Sequence, residues 1–273
     1  MRVFYLQGKA TIVRGAANMI NPFLPSLARL SVYGITHLQK QSPLMVAWWS
    51  AVFPGLGHYL LNHYIRATFL TLSEVSINTF AHINDAMIYS FCGKFELAQS
   101  VVQPKWAFGY LIIYMISIWD SYRLTRYQNK LYELTCLKNE PILRVGIFPS
   151  EIQFLDRKKP SVGAIYSFLF PGLGQLYVHR FGLSFYTIIW WWIYLYSSRL
   201  HESLLQLVLG NLHASILILQ PHWLLFMPSV MGGAIFHAYT TVIEHNKLYR
   251  TAQRQYLTNR YRKDEYFIFH KQV

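Results

Sequence analysis

The sequence predicts an all-α, polytopic integral membrane protein assembled from two tandem repeats of helical hairpins. Three observations carry that prediction. Apolar residues make up 53% of the 273 residues and aromatics 17%, while charged residues are only 14%, against roughly 25% in soluble proteins. Apolar stretches fall at about 43–61, 66–83, 104–122, 161–178, 183–198 and 222–243, and several approach the ~20 residues that cross a bilayer core. Finally, the chain repeats itself at one fixed offset. Its aromatic content excludes disorder, and its two cysteines exclude a disulfide scaffold.

The offset is 117 residues. Phe53-Pro54-Gly55-Leu56-Gly57 returns as Phe170-Pro171-Gly172-Leu173-Gly174, and Gln103-Pro104-x-Trp106 as Gln220-Pro221-x-Trp223. Asn129-Lys130-Leu131-Tyr132 meets Asn246-Lys247-Leu248-Tyr249, and Tyr122 meets Tyr239. Ala47, Ser50, Gly93 and Ile118 also find identical partners without a gap. One register that satisfies several separated blocks marks an internal duplication.

In chain order, residues 1–41 form an amphipathic N-terminal segment, punctuated by Arg2, Lys9, Arg14, Arg29 and Lys40 and broken by Pro22 and Pro25. Its apolar runs are too interrupted for a secretory signal, which predicts no cleavage and a segment lying on the membrane surface. Membrane repeat one covers 42–136, and a charged cytoplasmic linker with Pro141 and Pro149 covers 137–158. Repeat two covers 159–253 and a basic amphipathic tail 254–273. Each repeat opens with a PGLG segment and continues with an apolar helix. An amphipathic connector follows, then a second apolar helix begun by QPxW, and a basic end containing NKLY.

The net charge of +13 raises nucleic acid as a partner. The placement of the cations answers otherwise. Both repeats end in basic segments, and cytoplasmic loops collect Lys and Arg, so both ends are expected on the cytoplasmic side and each repeat crosses an even number of times. Proline and two glycines interrupt the PGLG segment, which predicts a re-entrant or interfacial element and leaves two true spans per repeat. Of the 25 cations, only Lys94, Lys105 and Arg199 then lie outside. An inverted three-plus-three arrangement is the runner-up. This topology separates Cys92, near the outer face, from Cys136 in the cytoplasm, excluding a disulfide between them.

Pro171-Gly172-Leu173-Gly174-Gln175-Leu176-Tyr177, followed by Arg180 and Gly182, resembles the signature of small bacterial membrane proteins in or near the two-transmembrane-helix domain family, usually written PGxGQxYxGxxxxG. Unit one keeps Pro54-Gly55-Leu56-Gly57-His58 but places Tyr59 one residue early and Ile65 where glycine is expected; unit two has Val178 in place of a glycine. The resemblance covers about 30 residues per unit. It implies tandem hairpins in the bacterial cytoplasmic membrane and carries no established reaction.

Candidate binding residues are therefore Pro54, Gly55, Gly57, His58, Pro171, Gly172, Gly174, Gln175 and Tyr177. The glycines permit tight turning and close backbone approach. His58 or Gln175 supplies donors for carbonyls that a proline leaves unpaired. These elbows are either packing devices or polar pockets for a lipid headgroup or a partner helix. Polar groups inside spans are costly, which adds Glu74, Asp120 and His237; Asp120 and His237 share one register position and pair if the units face each other. The eleven histidines invite a metal, but His58 and His63 do not share a helical face and no HExxH pattern exists. Neither a metal nor another cofactor is expected, nor catalysis. Trp190-Trp191-Trp192, with Tyr186, Tyr194 and Tyr196, forms an aromatic helix for the interface or a partner. The expected function is a non-enzymatic scaffold or accessory subunit binding membrane lipid, a membrane-protein partner or a second copy, without nucleic acid. A small transporter or lipid-handling protein using the intramembrane carboxylates is the alternative.

Overall fold

A computed structural model describes residues 26–31, 34–137, 145–147 and 152–261. Expectations that fall on the other residues lie outside the described residues. The described chain is predominantly helical. It opens with β1 (Ala28–Ser31) and β2 (Gly34–His37), followed by α1 (Pro43–Val52), α2 (Leu56–Leu60), α3 (Tyr64–Ala81), α4 (Ile83–Phe91), α5 (Phe95–Val101) and α6 (Pro104–Leu137). A second series follows: β3 (Val145–Ile147), β4 (Ile152–Phe154), α7 (Pro160–Leu169), α8 (Leu173–Tyr177), α9 (Phe181–Ser197), α10 (Leu200–Val208), α11 (Leu212–Ile218), α12 (Pro221–Leu224) and α13 (Met227–Tyr261).

The two series keep the sequence offset element by element. Even the hairpins agree: Ala28 pairs with His37 and Leu30 with Ile35, while Val145 pairs with Phe154 and Ile147 with Ile152. These hairpins lie in the segments that flank the helices. The amphipathic segment at 1–41 and the linker at 137–158 each contain antiparallel strands, and β2 is not a surface element, because Ile35 and His37 are buried.

Local chemistry explains where the helices break. Pro43 and Pro160 occupy the first turn of α1 and α7, where a missing N–H is harmless. Both helices stop at the phenylalanine preceding the next proline, whose ring disfavours helical backbone before it. Accordingly Phe53 and Phe170 are extended, at φ/ψ of −155/121° and −153/116°. Gly55 and Gly172 then turn the chain at φ of +102° and +109°. Two residues past each short helix, Asn62 and His179 adopt left-handed backbone. The following N–H groups, of His63 and Arg180, return to His58 O and Gln175 O at 2.9 Å, closing a Schellman turn.

The QPxW blocks mark a second break. Gln103 N–H donates to Ala81 O at 3.2 Å and Gln220 N–H to Ser198 O at 2.9 Å. The chain bends there by 88° and 81° before the long helices begin. No single described helix is long and apolar enough to cross a membrane, whereas these two bent pairs meet that test by length and composition. With 34 and 35 residues, α6 and α13 run ~50 Å, well beyond a ~30 Å hydrocarbon core. In the first series α1 and α3 pack against α6; in the second, α7, α8 and α9 pack against α13.

The polarity of the packing is inside-out. Thr71, Glu74 and Asn78 of α3 are buried, while Ile65 and Phe69 of the same helix are 76% and 67% exposed. On α6, Ser117, Ser121 and Thr125 face inward and Met115 is 71% exposed. On α9, Ser184 is buried and Tyr196 is 76% exposed.

Candidate functional site

The motif residues build two elbows, which meet between the halves. A Cβ built on Gly55 would lie 2.7 Å from Ala67 O and Thr71 Oγ1, and one on Gly172 would lie 2.5 Å from Ile188 Cγ1. Both elbow glycines thus press on the helix after next, α3 and α9. The second glycines press on the helix before: a Cβ on Gly57 would lie 2.3 Å from Ser50 Oγ, and one on Gly174 would lie 2.2 Å from Ser167 Oγ. Pro54 and Pro171 are buried with them. Thr71 Oγ1 donates to Pro54 O at 3.4 Å, Ser184 Oγ to Gly172 O at 2.7 Å, and Gly55 N–H to Ser117 Oγ at 3.3 Å.

Gln175 joins three helices. Its amide nitrogen donates to Ala234 O at 2.9 Å and its carbonyl oxygen accepts from Ser167 Oγ at 3.3 Å. His58, its counterpart, takes a carboxylate instead and pairs through Nε2 with Asp120 at 3.2 Å. Tyr177 anchors the chain entering α7: its hydroxyl accepts Lys159 N–H at 3.4 Å and its backbone carbonyl accepts Lys158 Nζ at 2.6 Å. In the first series Gln41 Nε2 donates to Leu60 O at 2.9 Å. The NKLY asparagines clamp those same entering residues. Asn129 accepts Gln41 N–H at 3.0 Å and donates to Gln41 O at 2.8 Å, while Asn246 does the same with Lys158 at 2.9 and 2.8 Å.

The expected approach of Asp120 to His237 is not what the structure has. Asp120 bonds Arg66 and Arg123 at 2.9 Å each, besides His58, all in its own half. His237 lies in the opposite half with Thr241 at 3.5 Å. Glu74 is interior, 1% exposed. Its Oε1 accepts from Asn78 at 3.1 Å and its Oε2 has no partner. From Asn78 a chain of amides runs through Asn84 to the carbonyl of His222, tying the first half to the start of α12. Among the described residues no group of His, Cys, Asp and Glu is placed to hold a metal ion.

Between the halves lies a cavity of about 60 Å³, lined chiefly by apolar and aromatic side chains such as Phe53, Leu56, Tyr59, Tyr186 and Trp190. Gln175 and His237 are among its few polar groups. Aromatic pairs hold the seam, with Tyr59 and Tyr186 centroids 5.2 Å apart and Trp49 and Phe236 4.8 Å apart.

Beside this seam sits a group that the motif contains without marking it as a binding candidate. Arg180, at the start of α9, is 3% exposed. Its Nη1 donates to Asn62 Oδ1, from the opposite elbow, and its Nη2 to His37 Nδ1 at 3.3 Å. His37 in turn donates from Nε2 to Gln39 Oε1 at 3.1 Å, which fixes the neutral tautomer. The His245 ring stands 5.0 Å from that of His37. Burial, and then Arg180, hold the His37 imidazole well below its ordinary range. His245 is likewise depressed by burial and by His37 and Arg180. The signal was present in the repeat register: Arg180 replaces exposed His63, His37 stands opposite Phe154, and His245 opposite Gln128.

No known protein family matches the chain, and neither a curated protein nor a solved structure resembles it significantly.

Proposed function

We propose that this chain is a multi-pass protein of the bacterial cytoplasmic membrane, a tandem duplication with both termini cytoplasmic. In this reading it acts without catalysis, as a scaffold or accessory subunit that binds membrane lipid or a membrane partner. The observation that carries the reading is the inside-out packing. Ile65, Phe69, Met115 and Tyr196 face outward while serines, threonines, Glu74 and His237 are enclosed, an order that water disfavours and lipid favours. Broken backbone at the elbows is compatible with membrane depth because it is buried and largely bonded. The duplication is supported by the shared offset of hairpins, elbow turns and asparagine clamps.

Lipid handling is the second reading, favoured by the apolar cavity at the seam and by the unpartnered buried oxygen of Glu74. Carbonate extraction of membranes and impermeant maleimide on intact cells test the placement. The protein is expected to stay in the pellet, with Cys92 labelled and Cys136 protected; both thiols are exposed on the molecule itself. Release by carbonate, or labelling of Cys136 in intact cells, overturns it. Mass spectrometry after extraction into native lipid particles separates the two readings: a stoichiometric protein marks an accessory subunit, and one enriched lipid without a protein marks lipid handling.

A further inference from the structure

A buried cation ordinarily has a counter-charge, because desolvating it without one is costly. Arg180 has none among the described residues. A guanidinium offers five N–H donors, of which Asn62 and His37 take one each, and the Nε–H is without a partner. The titratable groups that feel its charge, His37, His237 and His245, supply no negative charge, and His245 Nε2 is also unpartnered and buried. In addition α9, whose cap residue is Arg180 itself, begins with no side chain bonded to its first amides, and a helix start favours anions.

We propose that Arg180 and His245 bind the phosphate group of a ligand, either a phospholipid headgroup or free phosphate, with His37 and Asn62 as positioning residues for the guanidinium. The Nε edge of an arginine fork meets two oxygens of a tetrahedral oxyanion, which accounts for this residue type better than a lysine would. Asn62 and His37 each accept from an Nη group, so neither takes the Nε–H. Unit one has no equivalent among the described residues, because the register partner His63 is exposed. The inference stands apart from the membrane reading, and carbonate release of the protein would leave it untouched.

The test uses the full chain in detergent. Thermal melting is followed while inorganic phosphate is titrated against chloride at constant ionic strength, and separately with dihexanoyl phosphatidic acid, with dihexanoylglycerol as the uncharged control. At least one phosphate-bearing probe is expected to raise the melting temperature saturably. A response to both probes assigns the site to the phosphate group itself; a response to the lipid alone assigns it to a headgroup. Arg180→Met is expected to abolish the response. His245→Ala, which leaves both orienting bonds in place, is expected to weaken it about tenfold or more. The proposal is overturned if neither probe acts saturably on the wild-type chain. It is equally overturned if Arg180→Met responds at the same concentration as wild type. Should Arg180→Met not fold, an unchanged response in His245→Ala together with Arg180→Lys overturns it.

Discussion

Replacing Gly174 by alanine probes the elbow directly. The added Cβ would stand 2.2 Å from Ser167 Oγ, 2.3 Å from Gly163 O and 2.7 Å from Ala238 Cβ, where ordinary contact needs about 3.5 Å. The serine hydroxyl can rotate away. The carbonyl of α7 and the Cβ on α13 cannot, so the wedge must push these packed helices about 1 Å further apart. Overpacking of this kind costs ~1–3 kcal/mol, and confinement from both sides places Gly174→Ala at the upper end. At ~2–4 °C per kcal/mol the melting temperature falls by ~6–12 °C. Gly57→Ala meets Ser50 Oγ at 2.3 Å and Val46 O at 2.5 Å, but no third helix so closely, and is expected to lose about 2 kcal/mol. Gly232→Ala is the control: nothing lies within 4 Å of its Cβ, and alanine in a helix interior gains up to ~1 kcal/mol over glycine. Melting followed by tryptophan fluorescence in detergent orders the three. If Gly174→Ala melts at or above Gly232→Ala, the elbow is not the close-packed joint described.

Two further outcomes are expected. His37 and His245 stay neutral when folded, whereas the unfolded chain takes up protons near pH ~6.5, so protonation favours unfolding. Stability is therefore full above about pH 7 and falls as the pH drops below it, by up to ~1.4 kcal/mol per pH unit for each histidine. His37→Gln is expected to flatten the pH dependence of melting, and an unchanged slope contradicts the assignment. Asn129→Ala removes both clamp bonds to Gln41, a loss of ~1–3 kcal/mol. Deuterium exchange at Gln41 and through β2 is expected to speed up while α9 exchanges as before, and equal protection in both proteins contradicts the clamp.

Much of the helical plan was legible because its causes are local. Proline after phenylalanine stops α1 and α7, and the glycine after each proline turns the chain, so the breaks follow from the residues themselves. The hairpins were not legible. Their strands are three or four residues long, and the repeat register preserves Ile35 with Ile152 and Leu38 with Leu155 but nothing with a strand's alternation. Asn129 and Asn246 were visible as a motif, yet their task depends on residues 88 positions away in sequence. Asp120 found three basic partners in its own half because Arg66 and Arg123 lie within reach there, which no repeat register reveals. Arg180 was visible in the motif, but its burial and its partners were not, for a related reason. Comparing the halves draws attention to identities, and this cluster is made of positions at which the halves differ.

That difference has a consequence for the duplication proposed above. Asn62 and His179 are register partners, and so are His63 and Arg180, yet the contact runs from Arg180 to Asn62 alone. Two separate copies of one unit meeting about a twofold axis would have to carry the arginine and its acceptor on both sides, doubling a buried charge that has no counter-charge among the described residues. Joining the halves in one polypeptide lifts that restriction. Each elbow is then free to specialise, one as donor and the other as acceptor, while the remainder of the two series keeps its common offset.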